Sequence, residues 1–132
     1  MPTAQEQVDR VKTALGQLEN RDADGFVNLF SDDVVFQISG SGPLSGAYRG
    51  RDTVRALVKG FVAVMGPTYR LDPVDILADE RYVVMMFHTM GERDEMVLDV
   101  MTSCFAASGE DGRWNRCWWV ASDQAAYDAY FS

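Results

Sequence analysis

The stretch RDTVRALVKGFVAVM, residues 51–65, decides how this chain folds. Val54, Leu57, Val58, Phe61, Val62 and Met65 recur at three- and four-residue spacing, and Gly66-Pro67 ends the run, so the stretch predicts an amphipathic helix with one face to bury. Downstream lie four extended segments, near 68–78, 81–91, 95–107 and 113–121, followed by a short helix starting at Ser122 or Asp123. Upstream, Val8, Val11, Leu15 and Leu18 mark a first helix, with Thr3 and Glu6 as its capping box. A second, short helix capped by Asp22 buries Phe26, Leu29 and Phe30, and a Ser31-Asp32-Asp33 turn leads into a strand at Val34–Ile38. Gly40, Gly42, Pro43, Gly46 and Gly50 make residues 39–50 an irregular loop. The order α-α-β-α-β-β-β-β, with no repeat, linker or low-complexity tract, predicts one α+β domain over residues 1–132. Its curved antiparallel sheet wraps the long helix as a cone with a cavity at the open end.

Composition removes several functions. The chain has 132 residues, and 20 Asp plus Glu against 12 Lys plus Arg leave a net charge of −8. Such a surface repels a phosphate backbone, and Arg49, Arg51 and Arg55 form no basic stripe, so neither nucleic acid nor an anionic membrane is an expected partner. The longest apolar run, Tyr82 to Phe87, is far short of the roughly 20 residues of a membrane span, and Met1 to Asp9 lacks a secretion signal, so the expected address is cytoplasmic. Cys104 and Cys117 show no CxxC spacing. They read as two reduced thiols in neighbouring strands, a bridge being conceivable only if the register sets them opposite each other. One histidine cannot build a multi-histidine metal site, and the glycine loop lacks both a P-loop ending and GxGxxG, so no metal, nucleotide or other cofactor is expected.

Three motifs, Asp32-Asp33-Val34-Val35-Phe36, Gly42-Pro43-Leu44-Ser45-Gly46-Ala47-Tyr48-Arg49-Gly50-Arg51-Asp52 and Trp118-Trp119-Val120-Ala121-Ser122-Asp123-Gln124, resemble the SnoaL-like, ketosteroid-isomerase-like proteins of the nuclear transport factor 2-like superfamily. The resemblance runs from about residue 10 to the terminus. It implies a cystatin-like α+β barrel, commonly homodimeric, with an apolar pocket for a hydrophobic, oxygenated molecule of polyketide or steroid type. It implies no single reaction, because the superfamily includes cyclases, isomerases, dehydratases, epoxide hydrolases and plain binders. Counted without gaps, the isomerase's tyrosine falls at Ala14, its aspartate base at Gln37 and its second carboxylic acid near Met101, and none of these side chains can do the corresponding job at neutral pH. Steroid isomerisation of the usual kind is therefore disfavoured.

The simplest hairpin around residues 91–94 pairs Gly91 with Met96 and sets His88 opposite Asp99, a general base beside an orienting carboxylate. The alternation puts Met101 on the face of Asp99, which the resemblance turns toward the cavity. On the last strand Cys117, Trp119, Ala121 and Asp123 would share that inner face, against Trp114, Arg116, Trp118 and Val120 on the other, a candidate dimer contact. The candidate catalytic residues are thus His88, Asp99 and Asp123. The competing readings are a surface charge pair for the first two and a helix cap for Asp123. Candidate ligand contacts are Phe36, Gln37, Tyr48, Phe61, Met65, Met101, Trp119 and Tyr127. Two function classes follow: cofactor-free acid-base catalysis with His88 as base, or a non-catalytic ligand-binding or dimeric interaction module. The direction in which His88 points discriminates them. Epoxide hydrolysis, needing Arg116 between two inward carboxylates, ranks below both.

Overall fold

The Thr3 hydroxyl accepts the Glu6 N–H at 3.1 Å and the Glu6 carboxylate accepts the Thr3 N–H at 3.3 Å, which starts α1 (Ala4–Glu19) at the expected capping box. The structure is a computed structural model and describes residues 2–132. Helix α1 buries Val11, Ala14, Leu15 and Leu18, and Asp22 caps α2 (Ala23–Phe26) by accepting the Gly25 N–H. One 3₁₀ turn, Val27–Leu29, then leads straight into β1 (Phe30–Ile38).

Two local expectations change here. Ser31-Asp32-Asp33 is no turn but part of β1, since Phe30 already pairs with Trp114. The β1–β6 register slips between Phe30 and Val35, and Asp32 and Asp33 stay exposed, Asp32 paired with Arg51 and Asp33 accepting the Ser31 hydroxyl. The glycine loop also contains a short strand, β2 (Gly46–Arg49), antiparallel to β1. An edge strand has only one partner and needs little apolar content, which is why its sequence resembles a loop.

The remaining elements are α3 (Arg51–Val64), β3 (Arg70–Ala78), β4 (Tyr82–Arg93), β5 (Met96–Ser108), β6 (Trp114–Ala121) and α4 (Gln124–Tyr130). The sheet order is β2-β1-β6-β5-β4-β3. It is curved but not closed, and it is not wholly antiparallel: β1 and β6 run parallel, while every other neighbouring pair is antiparallel. The chain returns to β1 only after crossing through α3 and the β3–β5 meander, which brings β6 back in the direction of β1.

Alternation fixes what each long strand buries. Val83, Met85, Phe87 and Thr89 of β4 and Leu98, Val100, Thr102, Cys104 and Ala106 of β5 face the helices. The intervening residues form the outer face of the sheet. On β6 the expected parity holds for Cys117, which is buried, and fails for Trp114: it is only 2% exposed. Ser108 pairs with Trp114 and Ala107 with Arg116, so Asn115 is an extra residue and the bulge turns Trp114 inward. There its indole N–H donates to the buried Gln7 side chain, whose amide in turn donates to the Ser108 hydroxyl at 2.7 Å. Among the described residues no helix is long and apolar enough to cross a membrane.

Candidate functional site

Inside the curve of the sheet lies an apolar pocket of about 40 Å³. Its walls are Leu18 and Phe26 from the first two helices, Phe36 and Ile38 from β1, and Leu57, Val58 and Phe61 from α3. Tyr69 and Leu71 at the start of β3, Trp119 of β6 and Tyr127 of α4 complete it. The Trp119 ring is held by stacking on Phe87 at 5.5 Å, and Phe61 meets Tyr69 edge-on at 5.3 Å. Helix α4 closes one side. It is anchored by the Tyr130 hydroxyl, which donates to the Met65 carbonyl at 2.8 Å, by Arg93 donating to the Tyr130 carbonyl, and by the Asp128 carboxylate accepting the Ser41 N–H.

The side-chain polar groups of the lining residues are the hydroxyls of Tyr69 and Tyr127 and the indole N–H of Trp119. Burial pushes both phenols well above their ordinary range; the field of Tyr127 adds to the effect at Tyr69, whereas at Tyr127 interaction with the Tyr69 hydroxyl works against it. Both are therefore neutral at physiological pH, and since the two hydroxyls interact with each other, one phenol donor between them is left for a ligand. Among the described residues the pocket lining holds no carboxylate and no imidazole.

Four of the expected ligand contacts, Phe36, Phe61, Trp119 and Tyr127, line the pocket. Met65 is buried at the end of α3 outside the lining, where its carbonyl receives the Tyr130 hydroxyl. Gln37 alternates away from Phe36 and Ile38 and stands opposite Ala47 and Trp118 on the outer face. The Tyr48 hydroxyl is committed to the Leu44 carbonyl at 2.7 Å. Asp123 is exposed and caps α4, accepting the Ala126 N–H at 3.0 Å.

His88, Asp99 and Met101 do not face the pocket as expected. The hairpin turns at Asp94-Glu95, both with positive φ, so Arg93 pairs with Met96 and Met90, rather than His88, stands opposite Asp99. A register displaced by two residues preserves parity, and His88 Nε2 still reaches Asp99 Oδ1 along the diagonal. The contact is as expected, but its face is the outer one: the side chains are 41% and 69% exposed. Met101 is exposed beside them. Both faces of β5 carry apolar residues, which hid the inner one in the sequence. Arg116 is likewise on the outer face. The expected contacts omitted Leu18, Phe26, Ile38, Leu57, Val58, Tyr69 and Leu71 of the lining; for Tyr69, the one with a polar group, the signal was its alternation with Leu71.

No curated protein matches the sequence. Among solved structures, Bal32a from a soil-derived mobile gene cassette superposes with a TM-score of 0.86 at 18% identity, covering 98% of each chain. A nuclear transport factor 2-like protein from Burkholderia xenovorans LB400 gives 0.80 at 19% identity and 98% of each chain. A protein described as a putative SnoaL-like polyketide cyclase from Jannaschia sp. CCS1 gives 0.80 at 12% identity, over 100% of this chain and 96% of its own. At such identities these structures share the fold. The family model for the SnoaL-like domain matches residues 11–117, nearly the whole run from α1 into β6, and the chain belongs to that family.

Proposed function

We propose that the protein binds a small, largely apolar molecule carrying a hydrogen-bond acceptor oxygen, and that it does so without turning the molecule over. One observation carries this reading: the pocket lining includes the mutually interacting phenols of Tyr69 and Tyr127, both neutral, and, among the described residues, no side chain able to take a proton at neutral pH. Donors without a base orient a carbonyl or quinone oxygen but do not abstract a proton. The polyketide-cyclase description of one structural relative is compatible with an oxygenated, hydrophobic ligand.

Size adds a condition. Pockets for organic ligands usually exceed about 300 Å³, so the 40 Å³ of this one accommodates a ligand only if the wall yields. Helix α4 is held by the Tyr130, Arg93 and Asp128 hydrogen bonds, so ligand entry is assigned to rotation of the Tyr127 side chain rather than to displacement of the helix. The test is a titration of the folded protein with naphthols, hydroxyquinones and steroid ketones, each beside its hydrocarbon analogue. Tyr127→Phe should weaken the oxygenated members by about fivefold, the worth of one neutral hydrogen bond of about 1 kcal/mol, and leave the hydrocarbons unchanged. Equal weakening of both sets, or conversion of any ligand by the wild type, refutes the reading.

The outer face supports a second element, self-association. Met101, Phe105 and Val120 are each 38–42% exposed and Val97 is 72% exposed on one sheet surface, beside the half-buried Trp118. Such a patch favours a homodimer, and sedimentation with Phe105→Glu reads it: the wild type sediments as a dimer and the variant as a monomer. The two free thiols fit a reducing, cytoplasmic setting, which fractionation of expressing cells tests.

A further inference from the structure

Cys104 and Cys117 are both buried and free, and neither belongs to the pocket lining. The register does not set them opposite each other: Cys104 pairs with Trp119, and Cys117 pairs with Ala106. They are diagonal neighbours on the inner face of β5 and β6. Sheet twist brings one diagonal of an antiparallel pair closer than the other, and here the two sulfurs stand 3.1 Å apart. A disulfide needs about 2.05 Å, so the sulfurs lie roughly one ångström from bonding distance.

Two features of the surroundings matter. Burial and the neighbouring Cys117 sulfur push the Cys104 thiol up, so Cys104 stays protonated and is a slow nucleophile until a sulfenic acid stands beside it, and burial of both sulfurs excludes bulky reagents. Beside Cys117, Met85, Trp114 and Trp119 enclose a void of about 10 Å³. That is about the room one water needs, so a peroxide reaches Cys117 only as the surrounding side chains shift, while a reagent of glutathione size stays excluded.

We infer that Cys104 and Cys117 form a reversible dithiol–disulfide pair that responds to a small peroxide and not to disulfide reagents of glutathione size. The Cys117 sulfur attacks one peroxide oxygen, the O–O bond breaks, and the sulfur becomes a sulfenic acid as the other oxygen takes up the thiol proton and leaves as water. The Cys104 sulfur then attacks that sulfenic sulfur, the S–S bond forms, and the second oxygen leaves as water with the remaining proton. Two thiols and one hydrogen peroxide thus give one disulfide and two waters, the two thiols losing two electrons in all. The bond closes the loop of the β5–β6 turn and ties β5 to β6, the strand that carries Trp119, without crossing to another chain.

The test uses the folded wild-type chain. It is treated with hydrogen peroxide or with oxidised glutathione, quenched, alkylated in denaturant and analysed without reductant. With peroxide, the expected product is one intact chain lighter by two hydrogen atoms, taking up no alkyl group, with the peptides of Cys104 and Cys117 joined and released again by dithiothreitol. With oxidised glutathione both thiols should remain free. Closure of this loop should raise the melting temperature by roughly 10 °C. Cys117→Ser should retain native circular dichroism and leave Cys104 alkylatable after the same treatment. Free thiols in peroxide-treated wild type, oxidation to sulfinic acid without joining, or an interchain bridge would each overturn the inference. If Cys117→Ser fails to fold, the wild-type mass and peptide map still decide it.

Discussion

Replacing Gly91 by alanine should loosen the C-terminal helix, and the size of the effect follows from what the new methyl meets. A Cβ at Gly91 would stand 2.7 Å from the Tyr130 hydroxyl oxygen and 3.3 Å from the ring carbon that bears it, with the Tyr69 backbone at 3.3 Å behind. The backbone is the less compliant neighbour, so Tyr130 must retreat by several tenths of an ångström. That retreat breaks its 2.8 Å hydrogen bond to the Met65 carbonyl, a loss of about 1 kcal/mol, to which overpacking adds roughly 1–3 kcal/mol. The better strand propensity of alanine returns about 0.5 kcal/mol. The net loss is about 1.5–3.5 kcal/mol, or a fall in melting temperature of roughly 10 °C at the middle of that range for a domain of this size. Urea denaturation of Gly91→Ala, Tyr130→Phe and the double variant measures it. Removing the hydroxyl removes the atom struck, so the alanine should be less damaging by at least about 1 kcal/mol in the phenylalanine background. Effects that add to within about 0.5 kcal/mol would refute the contact as the cause.

Further outcomes follow from other parts of the molecule. The raised phenols of Tyr69 and Tyr127 make stability greatest below the unfolded tyrosine value, about 10. Above it the unfolded chain releases protons that the folded one retains, so stability falls with rising pH by about 1.4 kcal/mol per pH unit for each group. The double Tyr→Phe variant should reduce this fall between about pH 10 and 12, leaving the contributions of Tyr130 and Cys104, which have the same sign. His88→Gln should change stability by less than about 1 kcal/mol, the usual worth of an exposed pair, and should leave ligand titration curves unaltered; a loss of binding would return His88 to the site. Gln7→Ala strands the buried Ser108 hydroxyl and Trp114 indole and should cost about 2–4 kcal/mol by chemical denaturation.

Much of the architecture was legible because period and punctuation agree. Thr3 with Glu6, Asp22, Gly66-Pro67 and Asp123 mark helix ends at the residues where they occur, and the apolar face of α3 is the one that turns inward. What escaped depends on pairing rather than pattern. The parallel contact of β1 with β6 leaves no local trace, and the extra residue Asn115 reverses Trp114 without altering the composition of its strand. The site was half legible for a related reason. Phe36, Phe61, Trp119 and Tyr127 are apolar residues on alternating or helical faces, so burial predicts them. His88 and Asp99 were located as a pair, yet a sheet apolar on both faces does not announce which side holds the cavity, and only the helices packed on one face decide it.

The parallel pairing of β1 with β6 also governs how the chain must be assembled. Strand β6 is the sole bridge between the β2–β1 hairpin and the β5–β4–β3 meander, and Ile38 meets Trp119 across most of the sequence. During synthesis the two halves of the sheet remain separate, each with an open edge, until the residues after Trp114 have left the ribosome. Contacts of such separation slow folding, and the unjoined edges invite pairing with other chains. A truncation that removes β6 therefore divides the sheet in two rather than trimming one end of it.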